Sequence, residues 1–252
     1  MTEKIADLLK KYKMIFYSVK KKDKLFSLRE KGIFHYLTNV LRLKKNDKIL
    51  LNDQQFLYFT KILEVDKRKR IIFLNCIERI PLPQKKYNLN IYMGITKGYK
   101  LDSVISKLAQ FGVDNIYLFY SDFSDVKSDL SEKKLERWQR IAENSAEQSL
   151  NPFIPKVHHP LKLENFLQKI EGLNVVFYEK AEDYKINETL FNDEIINIFI
   201  GPEGGFSNKE IKIFKEKNSV ISLLCRNRLR SETASIAAVS IVKYFIDKIV
   251  AS

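Results

Sequence analysis

Residues 195–206 constrain the fold of this chain more than any other stretch. Ile195–Ile200 (IINIFI) is a run of strand formers, apolar except for Asn197. Gly201-Pro202-Glu203-Gly204-Gly205-Phe206 follows at once, and Ser207-Asn208-Lys209-Glu210 then opens a helix. That last quartet is a capping box, in which the serine hydroxyl and the glutamate carboxylate satisfy amides that a helix start leaves free. A buried strand that delivers a glycine-rich turn straight into a helix belongs to an open α/β sheet. Ligands in such sheets sit beyond the carboxyl ends of the strands. Three of the chain's eight glycines fall in this turn, where they let the backbone bend sharply and approach a ligand closely. The plain alternative is a tight strand-to-helix turn. A Walker loop is excluded, because the Lys-Ser/Thr pair that would hold phosphate and magnesium is missing. The GxGxxG spacing of a dinucleotide fold is missing too.

The same rhythm extends on both sides. Residues 89–95, 115–120, 174–178 and 220–224 read as strands. Leu101, Val104, Ile105 and Leu108 fall at helical spacing, and Ser131 caps a predicted helix with the buried stripe Leu135, Trp138, Ile141, Ala142 and Ser145. Residues 231–250 form a helix apolar on most faces, which calls for deep burial or a subunit interface. Its residues Ile236, Val239, Ile241, Val242, Phe245, Ile246, Ile249 and Val250 leave little polar surface, so a homodimer built on this helix is expected. Strands alternating with helices imply a parallel sheet.

The first third of the chain is different. Residues 49–51, 56–63 and 70–77 read as short strands separated by polar turns, with one helix over 34–41, which suggests a small barrel. Pro81-Leu82-Pro83-Gln84-Lys85-Lys86 ends this block as a linker, giving domains at 1–80 and 87–252. The charge divides at the same place. Residues 1–86 carry 22 Lys and Arg against 9 Asp and Glu, whereas the remainder carries 22 against 22. A neutral enzyme-sized block with a basic module attached is suited to gripping a polyanion. The runs Lys20-Lys21-Lys22, Lys44-Lys45 and Lys67-Arg68-Lys69-Arg70 alternate with strands rather than forming one basic amphipathic helix, which favours nucleic acid over a membrane. Any single run could be a solvated turn.

Other classes are set aside on similar grounds. No uncharged apolar run approaches the roughly 18 residues of a membrane span, and residues 1–13 lack the apolar block of a signal peptide. Cys76 and Cys225 are too few for a disulfide framework or a zinc site, which fits a reducing cytoplasm. His158-His159 has no partner at metal-ligand spacing and reads as surface loop; no metal is expected. Arg226, Arg228 and Arg230 with Glu232 sit between the last strand and the last helix. They read either as guanidinium groups aimed at phosphate or a base edge, or as a basic loop with a glutamate near a helix N-terminus. Lys97-Gly98, after the strand at 89–95, is a weaker signal of the same type.

Taken in order, these residues resemble the RsmE family. Residues 35–43 (HYLTNVLRL) resemble its His-Leu…Val-Leu-Arg segment, and Lys97-Gly98, Gly112-Val113, residues 138–141 (WQRI) and Ala146-Glu147-Gln148-Ser149 match the middle of its pattern. Residues 200–206 (IGPEGGF) and 229–234 (LRSETA) are its most specific motifs. The chain departs from the family at Gln110-Phe111, at Leu150 and Asn151, at Cys225 and Asn227, and at the turn 52–55, which lacks glycines.

The resemblance implies a small N-terminal PUA-like β-barrel and a C-terminal α/β SPOUT domain whose parallel sheet contains a trefoil knot. It implies methylation of N3 of a uridine in 16S ribosomal RNA, with S-adenosylmethionine as donor. The partner would be that RNA or the small ribosomal subunit. The implied cofactor residues are Tyr178, Ile200, Gly201, Pro202, Glu203, Gly204, Leu224 and Leu229. Arg230 would orient the base or steady its developing charge, and Glu232 would accept the proton. Lys20, Lys21, Lys22, Arg42 and Lys97 are the expected RNA contacts. A SPOUT ribose 2′-O-methyltransferase would share the pocket. A non-catalytic RNA-binding or ribosome-assembly factor would need neither specific motif.

Overall fold

The computed structural model describes residues 3–16, 24–95, 100–124 and 131–251. The chain divides into two compact units, Met1–Gln84 and Lys85–Ser252.

The first unit begins with α1 (Glu3–Lys11), a helix the sequence reading missed. Ile5 and Leu9, four residues apart, bury one side of it, while Glu3 at its start and Lys10 and Lys11 at its end complement the helix dipole. Then come β1 (Met14–Phe16), β2 (Leu25–Leu28) and α2 (Lys31–His35). After α2 the helix continues as a wider turn, Tyr36–Val40, so the expected helix starts earlier and changes pitch. The strands β3 (Lys48–Asn52), β4 (Phe56–Asp66) and β5 (Ile71–Pro81) complete the unit. The five-stranded sheet runs β1-β3-β4-β5-β2, antiparallel except for the β1–β3 pair. Register shifts in the β4–β5 ladder after Phe59 and Ile62 increase its coiling. Leu28, Leu37, Ile49, Leu51, Ile62 and Leu74 fill its core. Lys44, Lys45 and the whole turn Lys67-Arg68-Lys69-Arg70 between β4 and β5 are exposed. At the turn 52–55, which lacks glycine, Gln54 takes a left-handed φ of 67°. Its N–H donates to Asn52 Oδ1 at 2.7 Å, and this local hydrogen bond offsets the strain.

The second unit runs β6 (Asn88–Gly94), α3 (Lys100–Phe111), β7 (Asn115–Tyr120), α4 (Glu132–Gln148), β8 (Lys156–Val157), β9 (Leu161–Lys162) and α5 (Leu163–Leu167). It ends with β10 (Leu173–Phe177), β11 (Ile195–Ile200), α6 (Asn208–Glu216), β12 (Val220–Ser222) and α7 (Ser231–Ala251). Its seven strands are all parallel, in the order β12-β10-β11-β6-β7-β8, with β9 also on β7. Successive side chains point to opposite faces. Ile91, Met93, Val175, Ile198 and Ile200 therefore join α3, α4 and α7 in one core, whereas Tyr92, Val176 and Phe199 join α5 and α6 in another. Trp138 of α4 is fully buried, its Nε1–H donating to Asp102 at 2.9 Å. Ser131 does precede α4, but its side chain makes no cap hydrogen bond. Asn151, one of the departures, ties down the end of α3 instead: its amide donates to Ala109 O at 3.1 Å.

Two ladders cross the second face. Asn115 donates to Asn90 at 2.8 Å, Asn90 to Asn197 at 3.0 Å, and Asn197 to Asn174 at 3.0 Å and to Glu171 O at 2.8 Å. Two residues further along the strands, Phe199 stacks on Tyr92 and Tyr92 on Tyr117, each at 4.5 Å. His158 closes both ladders, its Nε2 lying 2.8 Å from Asn115 Oδ1 and its ring 4.1 Å from that of Tyr117. The surface-loop reading of His158 is corrected: it is half-buried, and loss of water, with Lys156 nearby, lowers its pKa from 6.5 to about 4.

Helix α7 packs on α3, β6 and β11. Val239, Val242 and Ile246 face that core and are buried, while Ile241, Tyr244 and Val250 stay exposed. Val242, expected at an interface, is core. No helix among the described residues is long and apolar enough to cross a membrane.

Candidate active site

The carboxyl ends of β10, β11 and β12 lie side by side, and the segments that leave them enclose a cavity of about 500 Å³. Phe177, Tyr178 and Glu179 line it after β10; Ile200, Gly201, Pro202, Glu203 and Gly205 line it after β11. Leu224, Cys225, Asn227, Arg228, Leu229 and Arg230 follow β12, and Ser231 and Ala234 of α7 close the wall.

The glycine loop keeps its shape for local reasons. Gly205 N–H donates to Pro202 O at 2.9 Å, which closes a turn, and Gly205 itself has φ of 73°. A Cβ there would lie 2.7 Å from Glu179 Oε1, so the loop is seated on that carboxylate. Ser231 Oγ donates to Gly201 O at 3.0 Å and ties the loop to the first turn of α7. From below, β6 ends in Gly94 because the loop rests on it: a Cβ would fall 2.3 Å from Pro202 N. The capping box is formed as expected. Ser207 Oγ accepts from Glu210 N at 3.2 Å, and Glu210 Oε2 accepts from Ser207 N at 2.7 Å. Glu210, only 4% exposed, also accepts from Ser121 Oγ and Asp122 N, each at 3.1 Å, and so holds the turn after β7 against the loop.

Charges of both signs face the cavity. Glu179 and Glu203 supply carboxylates; Arg228 and Arg230 supply guanidinium groups. Arg228 Nη2 donates to Glu203 O at 3.2 Å, which bridges two of the loops. Cys225 Sγ lies 3.0 Å from Asn227 O, a short local contact within the third. Among the described residues, no group of three or more His, Cys, Asp or Glu is placed to hold a metal ion.

Of the residues singled out from sequence, Tyr178, Ile200, Gly201, Pro202, Glu203, Leu224, Leu229 and Arg230 are brought together around this cavity. Gly204 is not in its lining; a Cβ on it would meet Phe123 Cβ at 2.7 Å. Glu232 sits half-buried on the first turn of α7, outside the lining. Arg42 is exposed in the first unit, with φ of 53°. Lys20, Lys21, Lys22 and Lys97 lie outside the described residues. The sequence reading missed Glu179, although a carboxylate one residue past a strand's last aromatic was a usable signal.

Comparison with known proteins matches residues 83–243 to an RNA methyltransferase domain and residues 29–73 to an RNA methyltransferase PUA domain. The chain is similar to the ribosomal RNA small subunit methyltransferase E of Aquifex aeolicus, with 28% identity over 92% of this chain and 99% of that one. The enzyme of the same name from Bacillus subtilis is 31% identical over 83% of this chain and 86% of its own. A crystal structure of the Neisseria gonorrhoeae ribosomal RNA small subunit methyltransferase E, bound to S-adenosyl methionine, shares the fold with a TM-score of 0.80. It covers 92% of this chain and 97% of its own at 22% identity.

Proposed function

This chain belongs to the family of RNA methyltransferases that carry a PUA domain, and from that premise we propose that it methylates N3 of a uridine in small-subunit ribosomal RNA, taking the methyl group from S-adenosylmethionine. The observation that carries this reading is the cavity where the GPEGG loop, Leu229-Arg230-Ser231 and Glu179 converge. Its volume falls within the roughly 300–1,000 Å³ of sites for ligands of this size.

The residues present fit the donor. Phe177, Ile200, Leu224 and Leu229 offer an apolar slot for adenine, while loop backbone groups suit its ring edge. Glu179 and Glu203 balance the positive sulfonium and ammonium; Arg228 suits the carboxylate. When bound, S-adenosylmethionine supplies an electrophilic methyl group on sulfur, so the protein needs no covalent intermediate. The loops would hold the donor and shield it from water, and positioning of this kind lowers a barrier by several kcal/mol. Arg230, exposed at the cavity wall, stabilises the negative charge that grows on uracil as N3 reacts. Glu179 and Glu203 are the carboxylates that face the cavity, and they replace Glu232 as acceptors for the N3 proton. The target must be unpaired or flipped, since N3 lies on the Watson–Crick edge.

The basic first unit grips the RNA backbone through the exposed turns at Lys44-Lys45 and Lys67-Arg68-Lys69-Arg70. The reading further includes action in the cytoplasm, a trefoil knot in the second unit, and a homodimer. What supports the dimer is the outward stripe of α7, where Tyr244 is 66% exposed and Ile241 and Val250 are each 39% exposed. Glutamate at Ile241 and Tyr244 should then yield monomers by light scattering. The deciding experiment for the activity is mass spectrometry of nucleosides from ribosomal RNA incubated with the protein and S-adenosylmethionine. 3-Methyluridine is the expected product; a 2′-O-methylated nucleoside, or none, overturns the reading.

A further inference from the structure

An exposed aromatic ring stands against the glycine loop, on a turn that several hydrogen bonds fasten. Phe123 lies in the turn that follows β7 and is 52% exposed. Turns at this kind of position favour small polar residues, because these satisfy the backbone locally. A phenylalanine gains nothing from water. Its ring stacks on no other aromatic among the described residues, and it belongs to neither core of the second unit.

The turn beneath it is rigid. Ser124 N donates to Ser121 O at 3.0 Å, and Ser121 N donates to Ser124 Oγ at 2.9 Å. The buried Glu210 carboxylate accepts from Ser121 Oγ and Asp122 N. Ser207 Oγ donates to Asp122 Oδ2 at 2.6 Å. These bonds fix the turn to the start of α6 and hence to the glycine loop. The contact is direct at Gly204, where a Cβ would meet Phe123 Cβ at 2.7 Å and Phe123 O at 3.3 Å. Both neighbours of Gly204 in sequence, Glu203 and Gly205, line the cavity.

We propose that Phe123 is the platform on which a nucleobase adjoining the target uridine stacks. The proposal rests on the methyltransferase reading and deepens it by assigning a substrate contact. A target uridine drawn into the cavity leaves its neighbour unstacked at the rim. A fixed aromatic face restores that stacking without reading sequence, because every base has a π-face. The fastening matters, since a backbone already tied down loses little entropy when the base arrives.

The test compares wild type with Phe123→Ala, Phe123→Leu and Phe123→Trp in binding unmodified small-subunit ribosomal RNA at one salt concentration. Calorimetry with S-adenosylmethionine runs in parallel. Alanine and leucine should weaken RNA binding by roughly 5- to 150-fold, the range expected for one stacked base. The Michaelis constant for RNA should rise while donor affinity stays put, because alanine retains the Cβ that abuts Gly204. Tryptophan should restore binding, and its fluorescence should be quenched by RNA against the constant signal of buried Trp138. Wild-type RNA affinity in Phe123→Ala, or rescue by leucine equal to that by tryptophan, overturns the proposal. So does a wild-type dimer that falls to monomers in Phe123→Ala, which would place a second copy on the ring. A wild type that neither binds S-adenosylmethionine nor methylates RNA defeats the methyltransferase reading and this proposal with it.

Discussion

At the amino end of the parallel sheet, Asn174, Asn197, Asn90 and Asn115 pass hydrogen bonds from strand to strand until His158 closes the row. At the carboxyl end, Gly201, Pro202, Glu203 and Gly205 turn their backbone toward a cavity, with Arg228 and Arg230 beside it. Both ends bring polar groups to a sheet whose middle is apolar. At the first, each asparagine of the row is bonded to a neighbouring strand. Its energetic role is register, because a slip by one residue would break each bond of the row and turn the aromatic ladder to the wrong face. At the second, hydrogen bonds such as Ser231 Oγ to Gly201 O and Arg228 to Glu203 O shape loops that line a cavity. One end uses its polar groups to join strands, and the other uses them to hold a cavity open.

The largest effect is expected at the open end. Arg230→Ala should lower kcat by about 100- to 1,000-fold, the usual consequence of losing one preorganised partner for developing charge. Arg230 is exposed, so the thermal midpoint should hardly move. A kcat within tenfold of wild type would remove Arg230 from the chemistry. The closed end should behave in the opposite way. Asn197→Ala strands the amide of Asn90, the side-chain oxygen of Asn174 and the carbonyl of Glu171. With Asn197 itself 1% exposed, a loss of roughly 2–4 kcal/mol in unfolding free energy follows from orphaned buried groups. Donor affinity measured by calorimetry well below the new midpoint should be unchanged. A parallel loss of affinity would show that the two ends are coupled and would break the comparison.

A smaller effect tests the row's last member. His158 has a folded pKa of about 4, below its ordinary 6.5. Between those values the unfolded chain binds a proton that the folded chain refuses. The contribution is therefore complete above pH 6.5 and is lost as pH falls toward 4. Its slope cannot exceed ~1.4 kcal/mol per pH unit, one proton's worth. In His158→Gln, which can still donate to Asn115, denaturant melts between pH 7 and 4.5 should show a shallower fall than wild type. Equal slopes in the two proteins would mean that His158 is solvated and is no part of the row.

The two ends also differed in how far the sequence revealed them. The strand at 195–200, the glycine turn and the capping box all matched the structure, because each depends on neighbours within four residues. Most of the cavity wall was named only through the family resemblance, since its members come from three separate loops. The Asn row was not, since its members come from four strands and their meeting depends on strand order and register. His158 was misread because burial by Tyr117 and Asn115 is a tertiary fact. Helix α1 was missed although Ile5, Leu8 and Leu9 fall at helical spacing, because residues 1–13 were weighed only against a signal peptide. Gly204 was named with its loop through the family resemblance, whereas a Cβ on it would meet Phe123. Glu232 was chosen for closeness in sequence, yet the carboxylates that reach the cavity are Glu179 and Glu203.

The smallest expected effect separates two serines that look alike in sequence. Ser131 and Ser207 each stand just before a helix, but only Ser207 accepts a cap hydrogen bond. Ser207 also donates to Asp122, so its hydroxyl belongs to the framework of the open end. Ser207→Ala should cost about 1 kcal/mol of stability, the typical value of a cap. It should also weaken donor binding by a few-fold, because the glycine loop leads directly into that cap. Ser131→Ala should cost a few tenths of a kcal/mol at most, having no side-chain bond to lose. Denaturant melts of the two variants measure the pair directly. If the two losses are equal, the fastening of the open end does not run through Ser207, and the loop must be held by Gly94, Ser231 and Glu179 alone.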